Sequence, residues 1–123
     1  MGYYSDVKVA MRAKDYRALL AKVKENAEKI EGLDWLMKQA EVNYDVPTDP
    51  RQSEEEQTVV LGWYGMKWYD DALPNVKFIM DFINQLDEVN FIRIGEDETD
   101  IERIENGDRF FDMFYVQRSI EIY

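Results

Sequence analysis

The chain has 123 residues, 46% of them hydrophobic and 33% charged, with 26 acids against 15 bases and a net charge of −11. This is the balance of one globular domain. Cysteine and histidine are both absent, which excludes disulfide frameworks, thiolate or imidazole metal sites, and Ser-His-Asp or Cys-His catalysis.

Residues 6–12, DVKVAMR, alternate Val7, Val9 and Met11 with Asp6, Lys8, Ala10 and Arg12, the period of a half-buried strand. Asp15 suits the N-cap of a helix whose apolar face is Tyr16, Leu19, Leu20, Val23, Ala27 and Ile30. Gly32 stands where a left-handed residue ends such a helix. Leu33, Leu36, Met37 and Ala40 predict two further turns, and VNYDV, 42–46, a brief edge strand. PTDPRQSEEE reads as an exposed loop.

TVVLGWYGMKWY, 58–69, predicts a long strand interrupted at Gly62 and Gly65 by bulges or close approaches. Asp70, Asp71 and Pro74 close it, and Asn75 is placed to cap a helix carrying Val76, Ile79, Met80, Ile83 and Leu86 on one stripe. Phe78 and Phe82 widen that stripe. FIRIG, 91–95, is a further strand, in which Arg93 alternates with Ile92 and Ile94 and is expected to face water. FYVQRSIEIY, 114–123, predicts a last strand, with Arg118 between Val116 and Ile120 and in need of a partner carboxylate. The order indicates a single α+β domain: an antiparallel sheet of four to five strands, with two main helices on one face. With VNYDV as a strand it becomes a ferredoxin-like arrangement.

Charge is unevenly spread. Residues 1–30 carry a balance of +3 and residues 31–123 one of −14. Such a surface repels nucleic acid and attracts basic proteins, although acidity also simply keeps proteins soluble. The densest stretch, NFIRIGEDETDIERIENGD at 90–108, holds seven carboxylates in 19 positions. Read as a calcium loop from Asp97, it fails where the sixth position must be glycine and is Glu102. Thr99-x-x-Glu102 fits a capping box, Ile101 and Ile104 are one turn apart, and Gly107 can terminate, so a short helix displaying Glu98, Asp100, Glu102 and Glu105 is expected.

No glycine pattern matches a nucleotide loop, and 26 acids guarantee some chance carboxylate pair, so an enzyme is not expected. No cofactor or metal is implied. In WYGMKWYDD, Trp63, Tyr64, Trp68 and Tyr69 either divide between the core and the outer sheet face or line a pocket for a planar ligand; as a nucleotide site, Trp63, Tyr64 and Trp68 would surround it with Arg118. The strand is apolar on both faces, and a homodimer through the aromatic sheet face is one way to cover it. The start shows no signal or myristoylation pattern, and no apolar run reaches membrane-spanning length. A cytoplasmic location is expected.

GYYSDV, GWYGMKWYDD, VKFIMDFI and FIRIGED together resemble small acidic proteins encoded by bacteriophages and prophages, over most of the chain. The resemblance implies an accessory protein in the cytoplasm of a bacterial host, acting by binding a host protein. Acidic members of that class are similar to DNA-mimic and anti-CRISPR inhibitors; no functional residue is carried over. The expected function is therefore inhibition of a basic nucleic-acid-binding or defence protein, without direct nucleic-acid or membrane binding. The expected contacts are Glu54, Glu55, Glu56, Asp70, Asp71, Glu96, Asp97, Glu98, Asp100, Glu102 and Glu105. Sequestration of a small ligand and a role in virion assembly are the alternatives. Neutralising Glu96, Asp97, Glu98 and Asp100 together is expected to spare the fold.

Overall fold

The computed structural model describes residues 3–46, 53–97, 99–111 and 113–114. Strand β1 (Ser5–Arg12) leads into helix α1 (Ala13–Asn26), helix α2 (Leu33–Gln39) and strand β2 (Glu41–Val46). A 3-10 turn at Glu54–Glu56 precedes strand β3 (Thr58–Met66), helix α3 (Pro74–Asn84), strand β4 (Val89–Gly95) and strand β5 (Ile101–Asn106). The closing strand expected over 114–123, with Arg118, falls beyond Phe114 and outside the described residues, as does Glu98.

The sheet runs β2-β3-β1-β4-β5, antiparallel throughout. Its first four strands have the ferredoxin-like order, with each crossover carrying helix onto the same face, and β5 extends the β4 edge. The α+β class and one-sided layering follow from the alternation already visible in β1. Val7, Val9 and Met11 are at most 1% exposed, and Val59, Leu61, Trp63, Val89 and Phe91 join them on the helix-facing side. Tyr16, Leu19 and Val23 of α1, Leu33 and Leu36 of α2, and Val76, Ile79 and Ile83 of α3 close the core from above. Trp63 reaches through it to donate from Nε1 to the Leu36 carbonyl at 2.8 Å. Among the described residues no helix is long and apolar enough to cross a membrane.

Several local expectations are corrected. Asp15 does not cap α1, which begins two residues earlier at Ala13, whose N–H reaches the Gln57 carbonyl at 2.7 Å. The Asp15 carboxylate instead accepts from Arg12 Nε at 2.9 Å. α1 ends at Asn26 rather than near Ile30, and Gly32, at φ 77°, opens α2 instead of closing α1. α3 starts at Pro74, in its first turn, so Asn75 lies inside the helix; its side-chain NH₂ donates to the Gly32 carbonyl at 3.2 Å.

The expected acidic helix after FIRIG is a strand. The Asp97 carboxylate takes both the N–H and the hydroxyl of Thr99, which leaves no capping box. The Gly95 N–H bonds to the Asp100 carbonyl at 2.8 Å and closes a hairpin, so Ile101–Asn106 pairs with β4. Gly107, at φ 70°, ends that strand. At Gly65 the expected bulge is present: Ser5 pairs with Met66 but Val7 with Trp63, so β3 holds one extra residue there. Gly62 is a close approach, with the Tyr64 hydroxyl lying over its α-carbon.

Candidate binding site

Register brings two of the three acidic segments to one end of the sheet. Ser5 is paired with both Met66 and Gly95, so the start of β1 and the ends of β3 and β4 meet there. The turn after β3 contributes Asp70 and Asp71, and the β4–β5 hairpin contributes Glu96, Asp97, Asp100 and Glu102. Arg93 stands at the centre. It shares the parity of Val89 and Phe91, not of Ile92, and therefore lies on the helix-facing side just past the edge of the core. Its side chain is only 16% exposed, which corrects the expectation that it faces water.

All three nitrogens of the guanidinium are engaged. Nη1 and Nη2 donate to the two oxygens of Asp100 at 3.0 and 2.8 Å, Nε to Glu102 at 3.3 Å, and Nη1 also to the Ser5 hydroxyl at 3.1 Å. The Tyr3 hydroxyl donates to Asp100 at 2.8 Å and accepts from the Asp97 N–H at 2.9 Å. The Arg93 guanidinium, helped by the Tyr3 hydroxyl, holds the Asp100 carboxyl down to about 2. The same pairing raises Arg93 above its ordinary value. Tyr69 completes the frame: its hydroxyl accepts from the Tyr3 N–H at 2.6 Å and donates to the Tyr3 carbonyl at 2.9 Å.

These groups enclose a cleft of about 320 Å³, with Tyr3, Trp68 and Tyr69 as walls and Asp70, Asp71, Asp100 and Glu102 around it. Arg93 is the one basic side chain among its described lining residues, and its hydrogen bonds are already committed to Asp100, Glu102 and Ser5. Asp70 and Asp71, on the rim of the cleft, are exposed. The cleft is thus an electronegative hollow with aromatic walls, suited to a guanidinium or ammonium group. Among the described residues no three acids converge closely enough to hold a metal ion.

The expected contact residues do not form one surface. Glu54, Glu55 and Glu56 lie at the opposite end, beside Thr58, which pairs with Arg12 at the far terminus of β1. Eight strand residues separate the two ends, about 25 Å. Glu56 is moreover neutralised by Arg109 at 3.0 Å and Lys14 at 3.5 Å. Glu105, 4.0 Å from Arg103, lies toward that far end of the hairpin.

The aromatic pocket is also corrected. Trp63 is 0% and Trp68 5% exposed; their rings lie 5.0 Å apart inside the core, tilted by 48°, and Trp68 Nε1 points to Met80 Sδ at 3.4 Å. Tyr64, 52% exposed, lies on the other face. The three do not share a pocket, because adjacent strand residues point to opposite sides. Tyr3, Ser5 and Arg93 are the cleft residues that sequence reading missed, whereas Tyr69 is one of the aromatics expected to line a pocket. The usable signal was the parity of Arg93 with Phe91.

No protein-family model, curated protein or solved structure significantly matches the chain.

Proposed function

We propose that this is a non-enzymatic binding protein that captures a basic partner protein at the acidic end of its sheet. The observation that carries this is the convergence of Asp70, Asp71, Asp100 and Glu102, from the turn after β3 and the β4–β5 hairpin, around a cleft whose one described arginine is spent on internal pairing. A surface of this kind accelerates encounter with a cationic protein and opposes nucleic acid. The resemblance to phage-encoded proteins supports a host nucleic-acid-binding or defence protein as the partner, with inhibition by occupation of its basic groove. Mimicry of DNA across all eleven acids has less support than local capture, since Glu54–Glu56 face away and are partly neutralised.

Affinity capture from a bacterial lysate tests the reading when run in parallel with wild type and Asp70→Asn/Asp71→Asn. A true partner is a basic protein retained by wild type at low salt, released as salt rises, and lost in the variant. If everything retained by wild type is retained equally by the variant, the acidic end is not the binding surface.

A further inference from the structure

We infer that the bound segment is amphipathic: a short extended stretch with one large apolar side chain next to two or more arginines or lysines, lying across two adjoining clefts. This rests on the acidic-end reading and adds a second cleft to it. A groove of about 340 Å³ is walled by Leu36, Met66, Leu73 and Val76, with Trp35 and Tyr4 beside it. Trp35 is 54% and Tyr4 45% exposed, in a chain whose other two tryptophans are buried. Single exposed aromatics are ordinary, but two flanking an apolar hollow make a seat for an anchoring side chain.

The two clefts are lined by consecutive residues of the chain. Tyr3 lines the acidic one and Tyr4 the apolar one, and Trp68 and Lys67 divide in the same way. Successive residues are about 3.8 Å apart, so an extended segment of about four to six residues reaches both. At the seam, Glu96 accepts the Tyr4 N–H at 2.9 Å, which adds a carboxylate beside the apolar groove.

Charge decides both occupant and direction. Asp100 and Glu102 are already paired with Arg93, so Asp70 and Asp71 call for cations on one side, and a purely apolar partner leaves them uncompensated. Lys67 and the first turn of α3 border the other side and disfavour a cation there. The basic residues therefore face Asp70 and Asp71 while a neutral apolar side chain fills the groove. A nucleic-acid strand fails the same comparison, because its phosphates meet carboxylates.

Trp35 is a built-in reporter, since Trp63 and Trp68 are shielded. The probes are three hexapeptide amides, each made in both sequence orders: one with a terminal leucine, two glycines and three arginines, one with serine in place of leucine, and one with glutamates in place of arginines. Binding is measured by calorimetry and by acrylamide quenching of tryptophan emission. The leucine–arginine peptide should bind at least tenfold more tightly than the serine–arginine peptide and protect Trp35 from quenching. Trp35→Ala, at an exposed position and with folding checked by circular dichroism, should erase that tenfold difference while keeping the weaker arginine-dependent binding. Equal affinity of the two arginine peptides, with Trp35 still quenched, overturns the two-cleft inference and leaves the acidic-end reading standing. Binding by neither arginine peptide overturns both, and equal binding of the glutamate peptide overturns the assignment of charge.

Discussion

Arg93 and Asp100 meet end to end across the turn between β4 and β5, Nη2 2.8 Å from Oδ1 and Nη1 3.0 Å from Oδ2. This fork fixes the hairpin against the start of β1, because the same guanidinium reaches Ser5 and the same carboxylate receives the Tyr3 hydroxyl. Two of the acids around the cleft are thereby structural, and Asp70 and Asp71 are left to meet a partner.

Acid stability should report this pair. The folded carboxyl of Asp100 sits near 2, below its ordinary 3.8, so its contribution is complete above about pH 4 and is lost as pH falls toward 2. Asp100→Asn should lower the urea midpoint at pH 7 and flatten its dependence between pH 4 and 2. Equal slopes for wild type and variant over that window contradict the pairing.

Neutralising Glu96, Asp97, Glu98 and Asp100 together should therefore cost stability, against the expectation from sequence that it spares the fold. Asp100 anchors Arg93, whereas Glu96 holds the Tyr4 N–H from an exposed position. The quadruple variant should unfold at lower urea than Glu96→Gln alone, which should stay within about 0.5 kcal/mol of wild type.

Three glycines should rank by what an added methyl meets. At Gly107, φ is 70° and a β-carbon would collide with the Glu88 carboxylate and lie 2.6 Å from the Asp87 carbonyl. At Gly95 the backbone is ordinary strand, but the methyl would strike the Asp100 carboxylate and the Tyr3 hydroxyl. At Gly65, φ is 62° with open space around it. Costs of about 2–4 kcal/mol for Gly107→Ala, about 1–3 for Gly95→Ala and about 1–2 for Gly65→Ala are expected from denaturant unfolding. Gly65→Ala costing the most of the three breaks this account.

Trp63→Phe should cost about 2–4 kcal/mol, because it leaves the Leu36 carbonyl unpaired at a fully buried position and opens space beside Trp68. Its effect on binding to a basic probe should be small once the fraction folded is accounted for. A Trp63 variant that folds as well as wild type but loses binding would restore the aromatic-pocket reading.

The sheet and helices were legible where one periodicity prevailed. Val7, Val9 and Met11 against Asp6 and Lys8 admit only a strand, and Val76, Ile79, Met80 and Ile83 only a helix. The hairpin was not legible, because Thr99-x-x-Glu102 satisfies a helical cap locally while the decisive partner, Arg93, lies across the sheet. Arg93 itself was ambiguous: β4 is apolar on both sides, so Ile92 and Ile94 looked as core-like as Phe91. The cleft depends on Tyr3 and Tyr69, 66 residues apart, and no local pattern announces that contact.

The most direct measurement compares equal charge changes at the two ends of the sheet. A fluorescein-labelled nona-arginine peptide is titrated at low ionic strength into wild type, Asp70→Asn/Asp71→Asn and Glu54→Gln/Glu55→Gln, all four positions being exposed. Both variants remove two negative charges, so any effect of net charge alone is the same. Capture at the acidic end predicts that the Asp70/Asp71 variant weakens binding about tenfold or more, while the Glu54/Glu55 variant stays within about twofold of wild type. Equal weakening by the two variants, or none by the first, contradicts it.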